Sequence, residues 1–220
     1  MILLALAASA AVLTQPGPSF RCDRTTTDAE RAICASPTLS ALDLDMARSY
    51  SAARSRLSPS ARAALRADQQ AFLRLREIAY ERREDPVMAD FGNIGDRIAS
   101  RTSFLDTVRT PAGPGLVGVW ANLFGTVEVR QAEDGRLIAE INTVNPETAR
   151  WICQVDMTAA SRGNRLTGRP DGDRAVTITV ERRDGFLRVT ETWPGGEDGQ
   201  PGYCGHNGFV EGDYLPVSAR

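Results

Sequence analysis

The hydrophobic period changes once along this 220-residue chain, at Thr110-Pro111-Ala112-Gly113-Pro114-Gly115. Ahead of that segment apolar residues recur at steps of three and four, as in helices that bury one face. Behind it they alternate, as in strands with one buried face. No single element satisfies both periods, so the chain must fold in two parts. The segment between them reads as a linker by composition. The expected fold class is α+β: a small N-terminal helical bundle followed by a C-terminal antiparallel β-barrel or sandwich. The expected divisions are 1–19 for a signal peptide and N-terminal tail, 20–109 for the helical domain and 116–220 for an all-β domain.

Local signals place the helices. Thr27 with Glu30 three residues on makes a capping box that would start a short helix ending near Ala35. Pro37 breaks the chain. Leu39, Leu42, Met46, Tyr50 and Ala53 then share one face of a second helix. Ser58-Pro59 pairs an N-cap with proline at the first helical position and opens a third, carrying Leu65, Phe72, Leu73, Ala79 and Tyr80. Asp85-Pro86 punctuates it, and a last helix carries Val87, Phe91, Ile94, Ile98, Leu105 and Val108.

In the second part Val117, Val119 and Trp120 open a strand. Alternating runs follow through Val127 and Val129, Leu137 to Ile141, Val176 to Val180, and Leu187 and Val189. Asp134-Gly135, Asp171-Gly172 and Asp184-Gly185 mark turns between them. About eight short strands are expected. Gly118-Val119-Trp120 is similar to the opening strand of lipocalin-like barrels, in which the tryptophan closes the barrel's base. The run from Tyr203 through Asn207 to Tyr214 reads as a terminal hairpin pinned to the strand that holds Cys153, with Trp151 beside it.

Met1 to about Ala10 is apolar and uncharged, and Ala8-Ser9-Ala10 has the small-x-small form of a signal-peptidase site. That run is too short to span a bilayer, and Phe20-Arg21 ahead of Cys22 does not suit lipid attachment. The expected location is periplasmic or secreted, with no membrane span. Cys22, Cys34, Cys153 and Cys204 then suggest two disulfides. Three connectivities are open, and pairing within each half is the economical one. Such loops would contribute about 3 and 4 kcal/mol. No cysteine pair has zinc-ligand spacing, and His206 is the single histidine, so no metal and no cofactor are expected.

The helical part resembles the LprI-like family of lysozyme inhibitors. The resemblance runs in order through Phe20 and Cys22, Glu30, Ile33-Cys34, Leu39, Leu42-Asp43, Met46 and Tyr50. It continues through Gln70, Phe72 and Arg76 to Arg97-Ile98, covering residues 20–108. Two departures stand out. Phe72 occupies a position where the family usually has tryptophan. A second cysteine pair, expected near Ala79 and Phe91, is missing as a pair. The positions read mostly as bundle core, with Asp43 and Arg76 spaced for a bidentate bridge between helices. The resemblance implies an exported protein that binds a protein partner such as lysozyme.

Chemistry finds little support. A hydrolase needs a nucleophile with its base, a metal or paired carboxylates. His206 sits in a turn, and Asp171-Gly172-Asp173 lacks the remaining ligands of a calcium loop. The run Arg74, Arg76, Arg82, Arg83 reads as a solvated helix face. A formal charge of −2 lacks the basic excess of a nucleic-acid binder. No catalytic residue and no enzyme activity are therefore expected. Charge divides unevenly, at +2 over residues 21–110 and −4 over 111–220. Glu197 and Asp198, in an acidic glycine-rich loop, are the candidate partner-binding residues. Two alternatives are a small-ligand carrier built on the β part and an envelope scaffold built on the helices.

Overall fold

The computed structural model describes residues 17–86, 93–111, 113–172, 176–192 and 202–218. Residues through 16, where a signal peptide is expected, and Val87, Phe91, Asp173, Glu197 and Asp198 lie outside them. After a 3-10 turn over Cys22–Arg24 come α1 (Asp28–Ala35), α2 (Pro37–Arg56), α3 (Pro59–Glu81) and α4 (Ile94–Thr107).

Capping decides where these helices begin. The Thr27 hydroxyl accepts from the Glu30 N–H, and the Glu30 carboxylate accepts from the Thr27 N–H, so the capping box is complete. Pro37 marks the break between α1 and α2, as expected. It takes the first position of α2, where a missing N–H costs nothing, and Ser36 caps the helix by accepting from the Leu39 N–H. Ser58 does the same for α3, and Asn93 accepts from the Gly95 and Asp96 N–H groups at the start of α4. The buried faces carry Ile33, Met46, Ala53, Leu65, Phe72, Ile98 and Leu105.

Nine antiparallel strands follow: β1 (Gly118–Ala121), β2 (Gly125–Gln131), β3 (Leu137–Val144), β4 (Ile152–Ala159), β5 (Ser161–Arg162), β6 (Arg165–Gly168), β7 (Thr177–Arg182), β8 (Leu187–Thr192) and β9 (Gly212–Val217). They form one sheet in the order β4-β3-β2-β1-β9-β8-β7-β6-β5. Its two ends come back together, with the Asp171 N–H donating to the Asp156 carbonyl at 2.8 Å and Gly168 packed against Met157. The sheet is thus a nearly closed barrel and not a sandwich. The strand beyond the expected eight is the two-residue β5.

Val127, Val129, Ala139, Ile141, Val155, Met157, Leu166, Ile178, Val180, Val189 and Tyr214 fill the barrel with one buried cluster. At one end the Trp120 indole N–H donates to the Leu116 carbonyl at 3.0 Å. The Arg182 guanidinium lies 4.6 Å over that ring and donates to the carbonyls of Gly115 and Gly113. At the other end Phe124 and Trp151 both pack on Phe209, each at 5.0 Å between ring centroids for the Phe209 contacts. The Cys153–Cys204 disulfide sits there too, with the Gln154 N–H donating to Tyr203 and the Gly205 N–H to Ile152. The chain's end does not pair as a hairpin with this segment, because β9 inserts between β1 and β8. The second disulfide, Cys22–Cys34, ties the leading turn to α1.

The two parts share a core. β9 is buried on both faces: Tyr214 points into the barrel, while Leu215 joins the helical cluster together with Phe186 from the β7–β8 turn. Helix α3 lies along this outer face. The Ser58 hydroxyl at its start donates to the Asp184 carbonyl, and further along Asp68 accepts from the Leu123 N–H, both at 2.8 Å. Gly185 is required at the first contact: its φ is +85°, and a Cβ there would meet Ser58 Oγ at 2.7 Å.

Two outcomes test this account. A Cβ on Gly125 would fall 1.9 Å from the Asn142 carbonyl oxygen on β3, a backbone atom that cannot step aside. Gly125→Ala should cost at least about 2 kcal/mol, read as a lower urea midpoint. The Glu30 carboxyl is held below its ordinary value of 4.5, first by the Thr26 N–H and also by the Thr27 N–H, against a smaller opposing effect of burial. A depressed folded value makes its contribution complete above the unfolded value and lost as pH falls through the folded one. The stability gap between wild type and Glu30→Gln should therefore be largest near neutral pH and shrink as pH falls through the depressed folded value.

Candidate functional site

Two buried ion pairs organise the helices. Asp43 on α2 and Arg76 on α3 meet at 3.6 Å, both almost fully buried. The bidentate bridge expected from sequence is not formed. Arg76 turns its Nε and Nη2 to the adjacent Glu77, and Asp43 accepts both the N–H and the hydroxyl of Ser19. Asp43 thereby anchors the leading segment as well as α3. Burial of Arg76 also corrects the reading of the arginine run as one solvated face; Arg74, Arg82 and Arg83 are exposed.

The second pair was not read from the sequence. Arg101 on α4 meets Asp68 on α3 at 2.7 Å, in charge contact but not aligned for a hydrogen bond to that oxygen. Its Nε donates to Gln69 at 2.8 Å, and its guanidinium lies between the rings of Phe104 and Phe72, at 4.6 and 5.4 Å. Asp68 uses its other oxygen to accept from Leu123 in the β1–β2 turn. One carboxylate therefore holds α3, α4 and the barrel. The available signal was the spacing of Arg97 and Arg101, four apart and hence on one face of α4.

These residues border a cleft of about 290 Å³ between the helices and the barrel. Phe72, Leu75, Phe104, Leu123 and Pro146 supply apolar walls, and Arg76, Arg97, Arg101 and Asp96 supply charge. Pro146 comes from the β3–β4 turn, where Asn145 accepts from the N–H groups of Glu147 and Thr148. Burial lowers the pKa of Arg97 and of Arg101, opposed by Glu147 in the first case and Asp68 in the second. Phe104, Asn122 and Leu123 also line a neighbouring groove of about 650 Å³ along β1 and β2.

A row of carboxylates crosses the barrel's outer surface. Glu128, Glu140 and Asp156 are cross-strand neighbours on β2, β3 and β4, and Arg130 pairs with Glu140 at 2.8 Å. Among the described residues no cluster of three metal-ligating side chains occurs, and no helix is long and apolar enough to cross a membrane. His206 lies in the turn after Cys204. Among the described residues the buried side chains inside the barrel form one apolar cluster.

Residues 22–105 match the family model described as Lysozyme inhibitor LprI, a similarity that falls on the helical region. The match covers less than half of the chain and stops short of the barrel. No curated protein and no solved structure gives a significant match.

Removing one partner of a buried ion pair strands the other in a low-dielectric site. Asp68→Ala should destabilise the protein by about 3–5 kcal/mol in equilibrium urea unfolding. The double variant Asp68→Leu with Arg101→Met should recover much of that loss, because neither charge is then buried alone.

Proposed function

We propose that the chain is an exported envelope protein that inhibits lysozyme by occluding its cleft. The observation that carries this reading is the match of the helical region to the lysozyme-inhibitor family. Two disulfides support an oxidising, extracytoplasmic location. Occlusion asks for shape and charge complementarity and no reacting group. The β part, with a formal charge of −4 and its row of Glu128, Glu140 and Asp156, provides a field suited to a cationic enzyme. Glu197 and Asp198 remain the loop residues proposed to enter the cleft. The domain divisions at 20–109 and 116–220 are kept as the proposed units, working as one body through the shared core.

The test is clearing of a cell-wall suspension by lysozyme, with and without an excess of the full mature protein. Dose-dependent protection that weakens with added salt is expected. Absence of protection against several lysozyme types would overturn the reading. A Glu197→Gln, Asp198→Asn variant should protect less well; undiminished protection would remove the loop from the mechanism while leaving inhibition intact.

A further inference from the structure

The helices cover the outer face of the barrel only in part. Trp120 and Tyr214 belong to the barrel interior, so Val119, Ala121, Leu215 and Val217, their neighbours on β1 and β9, face outward. Leu215 is fully buried under the helices, whereas Val217 and Val119 are only half-buried. The end of α4 forms one wall there through Phe104 and Thr107, and the opposite side is the exposed surface of β2 at Thr126 and Glu128. Between them runs a groove of about 650 Å³, lined by Phe104, Val119, Leu123, Phe124, Val144 and Val217. The apolar surface continues past Val144 to its cross-strand partner Ile152, which is 61 % exposed.

The open side of this groove is acidic. Glu128 is the one charged residue among the described residues that line it, and Glu140 and Asp156 follow it in the same cross-strand row. Glu140 is paired with Arg130, whereas Glu128 and Asp156 make no side-chain hydrogen bond or ion pair among the described residues. Arg109, near the opposite end where Val108 pairs with Val217, is turned to the carbonyls of Asp106 and Val108. Apolar side chains gathered in a concave, half-open surface mark a contact site. Covering them leaves Glu128 at the rim of the contact, where a cation is favourable and a second carboxylate is not. A second copy of this chain would bring a part carrying −4 over residues 111–220 against that row. An anionic lipid surface or a nucleic acid would be repelled in the same way. A cationic segment of another protein satisfies both the apolar groove and the acidic rim.

We infer that this groove docks a segment of a protein partner in which apolar side chains alternate with arginine or lysine. The apolar side chains enter between α4 and β1, and the basic ones lie on Glu128 and Asp156. Apart from the α4 wall, this face lies outside the residues matched to the lysozyme-inhibitor family. The inference therefore does not depend on the partner being a lysozyme, and its readout is direct binding.

The experiment is calorimetric titration of the full mature protein, at low salt, with a short end-blocked peptide that alternates leucine and arginine. Two control peptides replace arginine by glutamate, or leucine by serine. Saturable one-to-one binding of the leucine–arginine peptide is expected. The glutamate peptide should bind at least about tenfold more weakly through charge repulsion, and the serine peptide at least about tenfold more weakly through lost apolar burial. Combining Glu128→Gln with Asp156→Asn should weaken binding about fivefold. Both residues are exposed, so the thermal midpoint of that variant should match wild type. Thr126→Arg, which sets a cation on the exposed edge of the groove two residues from Glu128, should weaken binding about tenfold. No saturable binding of the leucine–arginine peptide, equal affinity for either control peptide, or full affinity in the double variant or in Thr126→Arg would each overturn the proposal.

Discussion

The contact on which the rest depends is the Asp68 carboxylate, buried where α3, α4 and the barrel meet. It neutralises Arg101 from α4 and accepts the Leu123 N–H from the β1–β2 turn. Burying such a pair is expensive, and the net gain over an apolar replacement is small. Its effect here is on geometry. A charge that must be matched in the interior permits one arrangement of two helices and a strand turn, whereas apolar packing alone would tolerate sliding. Asp43 does comparable work one helix away, joining Ser19, α2 and α3.

The barrel solves a different problem. Its first and last strands pair in the middle of the sheet order, and the two free edges, β4 and the β5–β6 hairpin, are brought together. Free edges invite pairing with other chains. The edge of β4 is further covered by residues 203–205, clamped there by Cys153–Cys204. Aromatic side chains pack at both ends of the barrel, Trp120 at one and Phe124, Trp151 and Phe209 at the other.

Much of this was legible in the chain. The period change at Thr110-Pro111 separated helices from strands because side-chain direction follows backbone geometry. Thr27 with Glu30, and Ser58 with Pro59, marked helix starts because capping is a contact within four residues. Pro37 marked the break between two helices; that it also opens the second is seen only with Ser36, whose side chain caps that helix. Arg76 carried two readings: its meeting with Asp43 between helices is found, whereas its place in one solvated run with Arg74, Arg82 and Arg83 is not, because it is buried. Gln69 is buried beside Arg101 while Gln70 is exposed, a one-residue difference in helix phase that spacing alone did not resolve.

By itself the sequence determined the class of each half, the turns, the caps, the four cysteines and the resemblance that the family match now places on residues 22–105. These rest on interactions between residues close in the chain, or on patterns with a fixed period. Closure of the barrel, the two-faced burial of β9 and the junction at Asp68 were decided only by the tertiary structure. Each depends on groups tens of residues apart, such as Asp68 with Leu123 or Ser58 with Asp184, whose meeting is set by the docking of one part on the other.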